Sequence, residues 1–338
     1  MANICVTGGA GYIGSHCVKY LLEHSDHSVI VIDNVSTGHE WALSNCEKIL
    51  KRTIPFYRCN VGDTDSVSAV FKKHAVDTLI HFAAYSLVEE SQRDPLKYFS
   101  NNTANTFRLL ETAVTCGVKN IIFSSTASVY GEAEYVPIDE KHRVKPVNNY
   151  GLSKLLIENV LQASAVAYGM NYAILRYFNV AGADSAGIIG ECHNPETHLI
   201  PLVLKTALGS RDKAMIFGTD YPTKDGTAVR DYIHVTDLVK AHYDAYTFLS
   251  KTNKSGIFNL GSAQGYSVRE VIDTVKDVVK KDFVVEEAGR RAGDPPVLLA
   301  SAKAASDILG WSPNLSLRVM VESAYEWEKK ICRNQHII

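Results

Sequence analysis

The chain has 338 residues, with 35 Lys plus Arg against 37 Asp plus Glu and 46% hydrophobic residues. That length is about two domains' worth and ample to bury a core without disulfide or metal staples. The net charge of −2 excludes the basic field of a nucleic-acid binder, and no apolar run approaches the roughly 18 residues of a membrane span.

In chain order, Ile4 to Thr7 reads as a short buried strand that leads into a glycine turn and a helix through Leu22. Val29 to Ile32 is a second strand ending at Asp33, and a third lies near Pro55 to Cys59. A helix over 66–73, a strand over 77–82, one long helix over 95–116 and a strand over 120–124 follow. A helix over 149–168 and a strand over 172–177 close this half. Continuous apolar strands separated by helices predict an α/β fold, a doubly wound (Rossmann) parallel sheet covered on both faces. Beyond about Asn179 the rhythm breaks into Gly-, Asn- and His-rich loops over 182–201 and 218–226. Helices return at 235–249, 268–280, 302–309 and 317–330. The expected division is a doubly wound domain over 1–180 and a smaller mixed α/β substrate domain over 181–338, with some chain exchange.

Met1 to Thr7 lacks the basic and apolar regions of a signal peptide. Seven cysteines, at 5, 17, 46, 59, 116, 192 and 332, are odd in number and form no Cys-x-x-Cys pair, so a cytoplasmic location is expected. Cys192, His193 and His198 lack a fourth ligand at zinc spacing, and no metal is expected there.

Three motifs carry chemistry. Gly8, Gly11 and Gly14 follow a strand and open a helix, where a tight turn lets backbone approach a pyrophosphate at the positive helix end. Asp33, at the next strand end, suits a ribose diol and repels a 2′-phosphate, which favours NAD over NADP. Tyr150 and Lys154 stand at i and i+4 on one helix face, so a cation could stabilise a phenolate base. Thr126 lies at a carboxyl strand end, where doubly wound sheets bind ligands.

Together these motifs resemble the extended short-chain dehydrogenase/reductase family, and within it the 4-epimerases of UDP-glucose and UDP-galactose. The resemblance is carried by Gly8 to His16, His81 to Ala84, Phe123 to Gly131, Leu175 to Asn179, Phe217 to Thr227, Arg230 to Val235 and Arg290 to Pro295. It implies C4 oxidation of a UDP-hexose, rotation of the 4-keto sugar and re-reduction, with tightly bound NAD regenerated in every cycle. Tyr150, Thr126 and Lys154 would be catalytic. Tyr12 and Ile13 would line the pyrophosphate. Asp33, Asn34, Val35, Ser36, Thr37 and Gly38 would hold the adenosine ribose. Asn60 and Val61 would meet adenine. Phe82, Ala83, Ala84, Tyr85, Ser86 and Asn101 would line the cofactor cleft, with Lys154 on the nicotinamide ribose and Phe178 near its ring.

On the substrate side the resemblance points to Asn179, His198, Leu199, Met215, Ile216, Phe217, Arg230 and the run Arg291 to Asp294. Read without it, Arg290-Arg291 is a solvated surface pair. Asn60 replaces a commoner aspartate, and Ser86 stands where some relatives carry lysine. Leu298 occupies a pocket-wall position that is tyrosine in stricter enzymes, so UDP-GlcNAc and UDP-GalNAc are expected to fit as well. A 4,6-dehydratase would carry Asp-Glu after the strand-end threonine, where this chain has Ala127-Ser128. A non-catalytic NAD-binding protein typically loses the tyrosine. A homodimer through helices 95–116 and 149–168 is expected.

Overall fold

The computed structural model describes residues 1–291 and 294–333. Its strands are β1 (Asn3–Thr7), β2 (Ser28–Asp33), β3 (Phe56–Arg58), β4 (Thr78–His81), β5 (Asn120–Thr126) and β6 (Asn171–Tyr177). Shorter ones follow: β7 (Asn179–Ala181), β8 (Ala214–Phe217), β9 (Val229–His234), β10 (Gly256–Leu260), β11 (Gly265–Ser267), β12 (Val285–Ala288) and β13 (Val297–Leu298). The helices are α1 (Tyr12–His24), α2 (Glu40–Leu50), α3 (Thr64–Lys73), α4 (Val88–Arg93), α5 (Pro95–Tyr98) and α6 (Asn105–Thr115). They continue with α7 (Asn149–Tyr168), α8 (Leu199–Ala207), α9 (Val235–Thr252), α10 (Val268–Val279) and α11 (Leu317–Arg333).

A seven-stranded sheet runs in the order β10-β6-β5-β4-β1-β2-β3, and every pairing in it is parallel. The strand alternation divides the core into two layers. Ile4, Val6 and Val31 pack on one face with residues of α1 and α9. Cys5, Ile30, Ile32 and Leu79 pack on the other with residues of α3, α6 and α7. This is the doubly wound Rossmann fold. The strand order reverses between β1 and β4, and a crevice opens outside the carboxyl ends of strands at such a reversal.

The smaller part packs α8, α10 and α11 through Ile200, Leu204, Val271, Ile272 and Val321. There β9 pairs parallel with β7 and β13 and antiparallel with β11. The chain after residue 181 also returns to the large sheet, since β10 pairs with β6 and α9 packs on α1.

The expected helix over 95–116 is α5 and α6 joined by a wide π turn over Phe99–Ala104. The expected helix over 302–309 is mostly a second π turn, Ala305–Leu309. Helix α8 begins inside the segment expected to be a loop. Its Pro201 falls in the first turn, where the missing N–H would have had no helical partner.

One polar network crosses the layers. Glu158 of α7 accepts from Arg176 of β6 at 3.0 Å for Nε and 2.5 Å for Nη2, and from the Ser125 hydroxyl of β5. Arg176 donates through Nη1 to Tyr130 Oη at 3.0 Å, and Tyr130 donates to Asn259 Oδ1 of β10 at 2.6 Å.

Candidate active site

A cavity of about 630 Å³ opens at the carboxyl edge of the sheet, between its strand ends and the smaller part. On the cofactor side the chain leaves β1 through Gly8 at φ 73°, and a Cβ there would sit 2.6 Å from the Ala83 nitrogen. At Gly14 a Cβ would overlap the Gly8 carbonyl oxygen. Only glycine lets the turn, the loop after β4 and the first turn of α1 come this close. Gly11 caps α1 without a side-chain acceptor, so N–H groups of that first turn remain available to an anion. Asp33 accepts from the Ala10 N–H at 2.9 Å and the Val35 N–H at 2.7 Å. Burial pushes its carboxyl up and these two donors oppose the shift. The cradle and the carboxylate fit a dinucleotide with a free ribose diol.

The predicted cofactor residues Gly8, Gly11, Tyr12, Ile13, Gly14, Asp33, Asn34, Ser36, Thr37 and Gly38 line the cavity. Asn60, Val61, Phe82 to Ser86, Asn101 and Phe178 do so too. Val35 does not; at φ 58° it serves the turn through the backbone N–H that Asp33 accepts. The sequence reading missed Asn102, which accepts from the Tyr85 N–H and donates to the Tyr85 carbonyl, both at 2.9 Å. The π turn delivers this amide to the loop after β4, and such wide turns recur at functional sites.

Tyr150 and Lys154 enter from the first turns of α7, whose N-cap Asn148 accepts from the Gly151 N–H at 2.7 Å. Both line the cavity with Thr126. Burial pushes the Tyr150 phenol up to about 12, and a hydrogen bond with Thr126 opposes the shift. Burial pulls the Lys154 ammonium down to about 7, against the attraction of Glu158. Its Nζ donates to the Ser124 carbonyl at 2.8 Å. Lys154 is not among the groups that shift the tyrosine. Desolvation is the largest cause of both shifts.

On the opposite wall stand Asn179, His198, Arg230 and Leu298. Asn179 Nδ2 donates to the Asp231 carbonyl at 3.1 Å. Arg230 is ion-paired with Asp294, and Leu298 packs with Phe178 against Tyr130 and Ile138. Leu199, Met215, Ile216, Phe217, Arg291 and Asp294 stand outside the wall. Asp294 is tied to it through Arg230, and the Arg291 guanidinium lies 3.9 Å from the Phe217 ring centre. Strand β8, which carries Met215 to Phe217, pairs with β12 away from the large sheet. Ala292 and Gly293 lie outside the described residues.

The same wall holds a cluster the sequence reading did not assemble. Glu191, His193, Glu196 and His198 place their ligand atoms within 4.8 Å of one another. Cys192, grouped with these histidines from its position in the chain, is replaced in the cluster by the two glutamates. Burial alone would lower the His198 pKa, but Glu191 and Glu196 outweigh it and raise it well above the ordinary value. The available signal was the repeated Glu-x-His spacing.

A sequence model of the NAD dependent epimerase/dehydratase family matches residues 4–261. The UDP-glucose 4-epimerase of Halalkalibacterium halodurans is 49% identical, over 97% of this chain and 96% of its own. The structure of a UDP-glucose 4-epimerase from Stenotrophomonas maltophila, with bound NAD and formylated UDP-arabinopyranose, has a TM-score of 0.96 to this fold. That pair is 36% identical over 98% of this chain and 99% of the other. The UDP-Glc/GlcNAc 4-epimerase of Campylobacter jejuni has a TM-score of 0.87 at 43% identity, over 98% of this chain and 100% of its own.

The lowered Lys154 pKa has a consequence for stability. Between about 7 and the ordinary lysine value of 10.5, the unfolded chain binds the proton more tightly than the folded one. Stability attributable to Lys154 therefore rises with pH across that window. Urea midpoints measured at about pH 7 and about pH 9.5 should show wild type gaining on Lys154→Met. Parallel profiles for the two proteins would contradict this.

Proposed function

Because the chain belongs to the NAD dependent epimerase/dehydratase family, we propose that it interconverts UDP-galactose and UDP-glucose through a 4-keto sugar. The carrying observation is the placement of Tyr150, hydrogen-bonded to Thr126, in one cavity with the glycine cradle and Asp33. Bound NAD would supply a hydride acceptor for the sugar C4 and give the same hydride back. Tyr150 accepts the proton of the 4-hydroxyl and gives it back, while Thr126 orients the phenol through their hydrogen bond. Lys154 positions the nicotinamide ribose. Asn179, His198 and Arg230 hold the nucleotide sugar, and an arginine fork suits its diphosphate through paired charge-assisted bonds. Anchoring through the non-reacting nucleotide leaves few contacts on the hexose, and the keto sugar can turn over between the two half-reactions. On this reading the first 180 residues serve mainly NAD and the remainder mainly the UDP-sugar.

The same site argues against a 4,6-dehydratase, since Ala127 and Ser128, which follow Thr126 on the cavity wall, supply no carboxyl acid–base pair for elimination. Purified protein given UDP-galactose without added cofactor should form UDP-glucose with no net NADH. Tyr150→Phe should lower turnover by about 10²- to 10⁴-fold. A 4-keto-6-deoxy product would indicate the dehydratase, and no product from either UDP-hexose would leave a non-catalytic NAD-binding protein.

Leu298 on the cavity wall leaves room that tyrosine would fill, which supports activity on UDP-GlcNAc and UDP-GalNAc. Leu298→Tyr should reduce kcat/KM for UDP-GlcNAc at least about tenfold more than for UDP-galactose, roughly 1.4 kcal/mol of discrimination. Equal losses on the two substrates would sink this assignment.

The chain also suits a cytoplasmic homodimer. Leu96, Phe107, Leu152 and Leu156 are exposed on α5, α6 and α7, the helices expected to form the dimer face. No helix among the described residues is long and apolar enough to cross a membrane, and the six described cysteines are unpaired. Sedimentation should give the mass of two chains; a monomer at micromolar concentration would exclude the dimer.

A further inference from the structure

The segment 191–198 carries two Glu-x-His pairs, Glu191 with His193 and Glu196 with His198, and the fold closes them onto each other. His198 Nδ1 lies 2.6 Å from Glu191 Oε1 and 3.1 Å from Glu196 Oε1. His193 Nδ1 lies 3.1 Å from Glu191 Oε1 and 3.9 Å from Glu196 Oε2. Four ligands placed tetrahedrally at about 2.1 Å from a zinc ion stand about 3.4 Å from one another. The observed separations bracket that edge, and two imidazoles with two carboxylates are a donor set that a borderline divalent ion accepts.

Two independent observations point the same way. The first is charge. Glu191 and Glu196 have side chains only 6% and 4% exposed, and Glu328 of α11 is buried beside them with Oε2 unpartnered. Burial, with Glu196 and Glu191 beside it, pushes the Glu328 carboxyl up to about 7, and Lys205 opposes the shift. A buried carboxyl oxygen without a partner is costly, and a divalent cation bound in place of the imidazole protons would keep positive charge beside it. The second is rigidity. The backbone of the segment is held by groups outside the cluster: Trp327 Nε1 donates to the Glu191 carbonyl at 2.8 Å, and His39 Nε2 lies 3.0 Å from the Cys192 carbonyl oxygen. Ligands fixed by their surroundings lose little freedom on binding.

The geometry points to a binding site for one divalent transition-metal ion, of zinc type, formed by Glu191, His193, Glu196 and His198. Each imidazole binds through Nδ1 and keeps its Nε2–H. His198 is the N-cap of α8 and lines the cavity, so the ion fastens one wall of the cavity through protein groups and takes no part in the proton transfer at Tyr150.

The test uses the whole protein, freed of metal by a chelator and titrated with Zn²⁺ alone, then with Co²⁺ as a spectroscopic probe. One equivalent should bind, raise the thermal midpoint and give the visible spectrum of four-coordinate Co²⁺ with nitrogen and oxygen ligands. His193→Ala and Glu196→Gln should each weaken binding at least about tenfold, the scale expected for losing a metal ligand or its support. Cys192→Ser should bind as wild type does. Circular dichroism melting of each variant establishes that it is folded, and His193→Gln stands in should the alanine variant fail. Absence of saturable binding would overturn the site and leave charged imidazoles as the partners of the carboxylates. Binding that survives both ligand substitutions, or that is lost in Cys192→Ser, would also overturn it.

Discussion

The geometry of the candidate active site rests on the buried pairing of Glu158 with Arg176. Glu158 has a fully buried side chain, and that of Arg176 is 5% exposed. Such a pair loses hydration on both partners, and removing one of them strands the other at a cost of about 3–5 kcal/mol. The cost is contained because Ser125, Tyr130 and Asn259 extend the hydrogen bonding. What the pair secures is direction. Tyr150, Lys154 and Glu158 recur every four residues along α7, so they share one stripe of the helix. Fixing Glu158 to β5 and β6 sets the rotation and height of that stripe, and Lys154 and Tyr150 then rise from it past the carboxyl edge. Tyr150 meets Thr126 because the helix has been locked two turns below.

The same edge gathers the other half of the site. Gly8 can approach the loop after β4 only because β1 and β4 are neighbours at the strand-order reversal. The smaller part is joined to that edge by specific bonds. Tyr12 donates to the Gly182 carbonyl at 2.5 Å, and Asn179 donates to the Asp231 carbonyl. Asp231 in turn accepts from the backbone of Ser262, Ala263 and Ala300. One carboxylate therefore gathers two backbone segments behind the wall that presents Arg230. A near-neutral chain can meet an anionic substrate in this way, with a few fixed cations rather than a basic surface.

Much of this was legible in the sequence because its causes are local. The glycine turn, the carboxylate ending β2 and the Tyr150–Lys154 spacing are each written within a few residues. The hydrophobic runs also identified six strands of the large sheet. What escaped depends on distant neighbours. Strand β10 is one short apolar run, and nothing within it says that it pairs with β6, some 80 residues earlier. Asn102 owes its contact with Tyr85 to a π turn, which shifts the side-chain register of a segment whose periodicity reads as plain helix. Glu191 and Glu196 are ordinary glutamates until the fold buries them beside two histidines. Burial likewise reverses the electrostatics expected of Tyr150 and Lys154, since i, i+4 spacing gives proximity but not dielectric.

That reversal suits the reaction assigned to the site. A sugar hydroxyl is a far weaker acid than a phenol, so the base that removes its proton must itself be strong. The phenolate of a group pushed up to about 12 is such a base. After taking the proton it becomes a stable acid and holds the proton for return to the same oxygen. A phenol shifted toward neutrality would surrender that proton to water more readily, whereas the desolvated one retains it while the sugar turns. The burial that makes Tyr150 hard to ionise would thus keep the proton within the proposed cycle, and the same burial lowers Lys154 to about 7.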